Sequence, residues 1–249
     1  MSASIGLHIP RVRCADETGG SFKERFGNDE IYLGAVFVAI SANKSFTVLN
    51  TGSRLVYEHF DDKETVNWGQ DLVRHDLGDA FVHPYPKAVI ASLVLAEHDA
   101  GNGRNEFLER TAQEFTDQLT KGAIDQVIKR AAVAAGLGGS AAIAAETNAN
   151  FVIEALKQWA GAKIGEIGDK LLETAASWAG DEIFRPVVKL LDIPSENHTW
   201  NGLGDTPEEV AEFVGHGGKY HVAMIWQLRR FFIVDPIFVN LSEPADLRT

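Results

Sequence analysis

A chain of 249 residues with 45% apolar residues has material for a real core, as one large domain or two small ones, and this argues against disorder. Its formal charge of -12 and the lack of any Lys/Arg cluster argue against nucleic acid as the main partner, because phosphate binding draws on clustered cations. A single cysteine, Cys14, excludes an internal disulfide framework and a multi-cysteine zinc site.

The N-terminal Met1-Ser-Ala-Ser-Ile has no charged region followed by an apolar one, so no conventional signal peptide is legible. The cellular address stays open between a soluble cytoplasmic protein and one exported by a non-classical route. The first hundred residues then show the two-residue period of strands. Ile5, Leu7 and Ile9 alternate with Gly6, His8 and Pro10, and Glu30 to Ile40 is apolar on both faces, as a buried strand would be. Ser45 to Leu49, Arg54 to Phe60 and Ala88 to Glu97 are further candidates, separated by turn chemistry at Thr18-Gly19-Gly20, Asn50-Thr51-Gly52 and His83-Pro84-Tyr85-Pro86.

At Glu106 the period changes. Phe107, Leu108, Thr111, Phe115, Leu119 and Ala123 fall three and four apart, one stripe of a helix with Asn105 as its expected N-cap. The glycines at 136, 138 and 139 should weaken or end that pattern, and a second stripe runs through Val152, Leu156, Trp159, Ile164, Ile167, Leu171 and Trp178. Two antiparallel helices joined near the glycines are the simplest arrangement. Between them Ala131 to Ala145 carries no charge, but it is shorter than the roughly 20 apolar residues a membrane span needs.

After Gly180 the β signal returns. Pro186 precedes a Val-Val-Lys-Leu-Leu run, and Lys219 to Leu228 gives the cleanest alternation, with Tyr220, Val222, Met224, Trp226 and Leu228 on one side. Phe231 to Phe238 is a candidate last strand, restricted by Pro236 to an edge or an ending. The expected architecture is α+β: an antiparallel β-sandwich of about eight to ten strands. Residues 1–105 and 181–249 form it, and a long α-helical hairpin, 106–180, is inserted.

Two acidic loops are the leading chemical candidates. One runs from Asp16-Glu17-Thr18-Gly19-Gly20 to Asn28-Asp29-Glu30-Ile31-Tyr32, the other through Glu97-His98-Asp99-Ala100-Gly101. Carboxylates on loops suit Ca²⁺, which takes 6 to 8 oxygens in tolerant geometry. These loops resemble those of C2 domains, the β-sandwich modules that bind calcium and often lipid head groups. Asp16 and the Asp29-Glu30-Ile31-Tyr32 segment are similar to that family's first loop, and Glu97-His98-Asp99 to the Asp-x-Asp of its third, with Glu106 a further acid. Glu30 and Ile31 stand where the family has a proline, Glu97 stands for an Asp, and the helical block is foreign to ordinary C2 domains.

The resemblance implies a metal site of Asp16, Asp29, Glu97 and Asp99 holding Ca²⁺, and a membrane lipid or cell-surface receptor as partner. Small and apolar residues of the helical block, Ala131, Val133, Leu137, Ile143, Phe151 and Trp159, are the candidate membrane contacts, in a toxin-like or pore-forming role that leaves oligomers open. The competing expectation is a protein-interaction or structural module whose helices stay packed. No enzyme is expected: Gly136-Leu137-Gly138-Gly139-Ser140 lacks both the preceding strand and the following Lys of a phosphate loop. His75, Asp76, Asp79 and His83 remain a weaker cluster that would gain weight only by converging in one pocket.

Overall fold

The computed structural model describes residues 2–16, 30–98, 102–174 and 181–231. Among these, the chain is α+β, with two antiparallel sheets and four helices. The candidate strand 231–238 lies outside the described residues beyond Phe231.

The first sheet is built on the long strand that the alternation marked. β1 (Ser2–Ile9) and β2 (Val12–Asp16) are separated by Pro10 and Arg11. Both pair antiparallel with β11 (Gly218–Phe231), which takes β10 (Glu209–Gly215) as a further partner. β5 (Thr65–Val66) and β6 (Gln70–Asp76) extend the sheet beyond β2 and β1. The second sheet orders β4 (Phe46–Tyr57), β3 (Glu30–Ser41) and β7 (Lys87–His98). Two segments, β8 (Asp181–Ile183) and β9 (Val187–Ile193), then pair with successive stretches of β7.

The inner faces of the two sheets meet in one core. Tyr220, Val222, Met224, Trp226 and Leu228 face Phe37, Leu33, Val89, Leu93 and Leu95 there, all fully or almost fully buried. Each such aliphatic or aromatic burial contributes about 1.5–3 kcal/mol. The outer face of the second sheet is also covered, and this explains why β3 and β7 are apolar on both faces: Val36, Val38, Ile40, Ala88, Ile90 and Val94 pack under helices.

The helical block folds as four helices rather than two, α1 (Gly103–Gln118), α2 (Lys121–Ala134), α3 (Ser140–Thr147) and α4 (Ala149–Thr174). Thr120 caps α2 by accepting from the Ala123 amide at 3.2 Å, and positive φ at Gly136 and Gly139 ends the α2 pattern where the sequence placed the break. The expected stripes are buried, with Phe107, Leu108, Phe115, Leu156, Ala160 and Ile164 against the sheet. Gly161 and Gly168 let α4 lie close on β9 and the proline before it: a Cβ at Gly161 would stand 2.9 Å from a Leu190 methyl, and one at Gly168 3.1 Å from Pro186. No helix is long and apolar enough to cross a membrane among the described residues.

Candidate functional site

The acidic pole is the end of the sandwich where β2 stops, β3 starts and β7 stops. Glu30 pairs with His98, and Glu97 pairs with both Ile31 and Glu182. Asp16 stands opposite Lys219, next to the turn joining β10 to β11. His216 of that turn donates from Nε2 to the Ile183 carbonyl at 3.1 Å, which ties the end of the first sheet to β8 and hence to Glu97. So Asp16 and Glu97 belong to one pole, on different sheets. Asp16 is exposed, brought opposite Lys219 by a bulge, whereas Glu97 continues the inward row of Val89, Ala91, Leu93 and Leu95 and is buried. Asp29 and Asp99 lie outside the described residues. Among the described residues no group of three or more His, Cys, Asp or Glu is spaced to hold a metal ion. Glu106 pairs with Arg110 one helical turn on, at 2.5 Å.

A buried ionic clasp stands beside Glu97, and sequence reading missed it. The Asp181 carboxylate is fully buried; its Oδ2 accepts from the Arg104 amide at 2.9 Å and both oxygens lie 3.1 Å from Arg104 Nη1. His98 Nδ1 stands 2.7 Å from Asp181 Oδ1 and 2.9 Å from Arg104 Nη1. One nitrogen cannot donate to the carboxylate and accept from the guanidinium at once, so its tautomer selects the partner. The guanidinium also stacks 3.8 Å above the Tyr32 ring, and its Nε donates to Ser53 Oγ at 3.1 Å. Burial, and then the Glu30 carboxylate, push the Tyr32 phenol up. Asn105, the expected cap, accepts instead from the Ser53 amide and hydroxyl at 2.9 and 2.7 Å. The result fixes both flanks of residues 99–101, since His98 ends β7 and Arg104 lies in the first turn of α1.

At the other end of β7, His75, Asp76 and His83 do converge, in a cavity of about 110 Å³ that Ser41, Ser45, Thr47 and Lys87 also line. Asp79 instead shapes the adjoining turn, accepting from the Phe81 amide at 2.8 Å. Lys87 is only 2% exposed, donates to the Leu77 carbonyl and lies 4.5 Å from the centre of the Tyr85 ring. Burial pulls its ammonium down to about 8, against the raising influence of Asp76, Glu196 and Asp79. Burial also lowers His75 and pushes Tyr85 up to about 12.

The candidate membrane contacts divide. Val133 and Ile143 are 72% and 68% exposed, in a charge-free stretch that runs from the end of α2 into α3. Ala131, Leu137 and Phe151 are half-buried, and Trp159 packs edge-on to Phe46 and tilted against Phe115. The stretch belongs to the end away from Asp16: α2 starts where Lys44 pairs with Asp125 at 2.9 Å, and Lys157 near the start of α4 pairs with Asp192, opposite Ala88.

No family model matches the chain, and neither does a curated protein or a solved structure.

Proposed function

We propose that the chain is a non-enzymatic, C2-like module that binds an anionic membrane or a cell surface with the help of calcium. The observation that carries this reading is that both acidic segments leave the sandwich at one pole, Asp16 and Glu30 flanking the first, Glu97 and His98 the second. In this reading Ca²⁺ takes carboxylate oxygens from Asp16, Asp29, Glu97 and Asp99. A chain with a formal charge of -12 needs such a cation to approach phosphate head groups. Asp181 and Arg104 contribute by holding the second segment's flanks in place. Flotation with phosphatidylserine liposomes tests it. The chain should rise with the vesicles in calcium and stay at the bottom in chelator; equal partition in both sinks the calcium step.

The burial of α1 and α4 favours a second reading, in which the helical layer stays packed and the pole contacts another protein. A toxin-like, pore-forming step would have to expose Phe107, Phe115, Leu156 and Ile164, all fully buried. Dye release from loaded liposomes separates the two: binding without leakage leaves a recognition module.

A further inference from the structure

We propose that Lys87 forms a second binding site, unrelated to the acidic pole, in which its ε-amine captures a small neutral aldehyde or ketone as an imine inside the cavity between β6, β3 and β7. This is reversible covalent binding rather than turnover.

The position of the amine carries the argument. Lys87 opens β7 beneath the turn that follows β6, and its side chain is almost wholly enclosed. One N–H is directed to the Leu77 carbonyl, and the Tyr85 ring covers a second side at 4.5 Å. Lys87 also lines the cavity, whose volume of about 110 Å³ accommodates one small guest or a few waters. Most of the remaining lining is polar, with Ala39 and Leu77 as its apolar part. Ser41, Ser45 and Thr47 offer hydroxyls, and Ser45 Oγ lies 3.3 Å from His83 Nδ1. Asp76, exposed at the mouth, holds the turn through the Gly78 amide at 2.8 Å.

An amine that adds to a carbonyl must be neutral, and here burial supplies that condition. At a value of about 8, roughly one amine in five is neutral at pH 7.4, against about one in a thousand for an ordinary lysine. Asp76, Asp79 and Glu196 all favour the ammonium, so desolvation outweighs them. The step balances without an oxidant or reductant. The nitrogen lone pair forms the C–N bond as the carbonyl π bond opens, and a proton moves from nitrogen to oxygen to give the carbinolamine. The C–O bond then breaks after the oxygen takes a second proton, water leaves, and the nitrogen closes the C=N bond as an iminium, whose N–H proton is given back to leave the imine. His75 and His83 are placed to pass those protons, and burial keeps His75 neutral near pH 7. Asp76 at the mouth disfavours anionic carbonyls, which selects neutral guests over oxo acids.

The test treats the full chain with limiting propanal and sodium cyanoborohydride at pH 7.4, then compares labelling at Lys87, Lys63 and Lys129 by peptide mass spectrometry. Lys63 and Lys129 are both exposed. Lys87 should label at least about tenfold faster than either, short of the roughly 200-fold ratio of neutral amine because the guest must enter an enclosed cavity. Ser45→Leu, which narrows the cavity, should slow Lys87 and leave Lys129 unchanged while the thermal melt stays within a few degrees. Labelling of Lys87 in the folded chain at or below the rate of Lys129 overturns the proposal. Faster labelling by glyoxylate than by propanal overturns the assignment to neutral guests.

Discussion

Asp181 and Arg104, 77 residues apart in sequence, hold each other through a backbone amide at 2.9 Å and a guanidinium nitrogen 3.1 Å from both carboxylate oxygens. The two residues link the edge strand β8 to the first turn of α1, and His98 joins them from β7. Because the carboxylate is fully buried, removing it strands a cation away from water. Asp181→Ala should lower stability by about 3–5 kcal/mol, read as the urea midpoint. Arg104→Met combined with Asp181→Leu should recover part of that loss, since an apolar pair leaves no buried charge unmatched. A cycle with no coupling would show that the clasp is incidental.

Lys87 and Tyr85 make stability depend on alkaline pH in opposite senses. The Lys87 ammonium is held down to about 8 by burial, so between that value and the ordinary 10.5 the unfolded chain binds the extra proton and stability rises with pH. The Tyr85 phenol is pushed up to about 12, so between 10 and 12 the folded chain keeps a proton the unfolded chain has lost, and stability falls. Their joint contribution peaks near pH 10. Urea titrations at pH 8, 9 and 10 should show the rise, worth at most about 3 kcal/mol, and Lys87→Met should flatten it. A slope unchanged in that variant would mean that other groups govern the alkaline limb.

Gly34 fixes how closely α1 and β4 approach β3. A Cβ there would stand 2.5 Å from a Leu108 methyl and 2.7 Å from the Gly52 carbonyl oxygen. The side chain can yield but the carbonyl cannot, so Gly34→Ala should cost about 1–3 kcal/mol, and adding Leu108→Ala should not restore it. Parallel melts of the single and double variants decide this.

How much of this was legible in the sequence follows from how local each signal was. The alternation of β11 reported its inward face residue by residue, and the two-sided apolar runs of β3 and β7 reported a sheet covered on both faces. β6 was missed because Gln70, Asp71, Arg74, His75 and Asp76 leave only Leu72 and Val73 as apolar signal. β10 was missed because Val210 and Val214, exposed at 51% and 62%, blur its alternation with the inward Ala211 and Phe213. His75, Asp76 and His83 drew notice because they are near one another in sequence. Lys87 and Ser45 reach the same cavity from other elements, and the partner of Arg104 is supplied by a strand on the far side of the helical block. No local pattern encodes such pairings.

Hydrogen exchange should separate the helical layer into two classes. Amides from Val152 to Ile167 in α4 sit over fully buried side chains and should exchange with the slow core of β3 and β7. Residues 133–144 are mostly exposed, interrupted by glycines at positive φ, and should exchange fast. Fast exchange throughout α4 would point to a metastable hairpin and revive the pore-forming step.

The exposed apolar stretch can be tested apart from the acidic pole. At about 3.4 Å per residue, β7 carries the chain roughly 30 Å between Lys87 and Glu97. The anchors of 131–145, Lys44 with Asp125 and Lys157 with Asp192, belong to the Lys87 end. A flat vesicle docked on the Asp16 pole therefore meets the sandwich at the end away from Val133 and Ile143. Substituting both by Ser removes exposed apolar area and no packing, so stability should stay within about 0.5 kcal/mol. Calcium-dependent flotation should persist in that double variant and be lost in Asp16→Asn combined with Glu97→Gln, whose fold is checked by the same melt. The reverse pattern, flotation abolished by the serines and untouched by the acid substitutions, would move the membrane contact from the acidic pole to the helical tip.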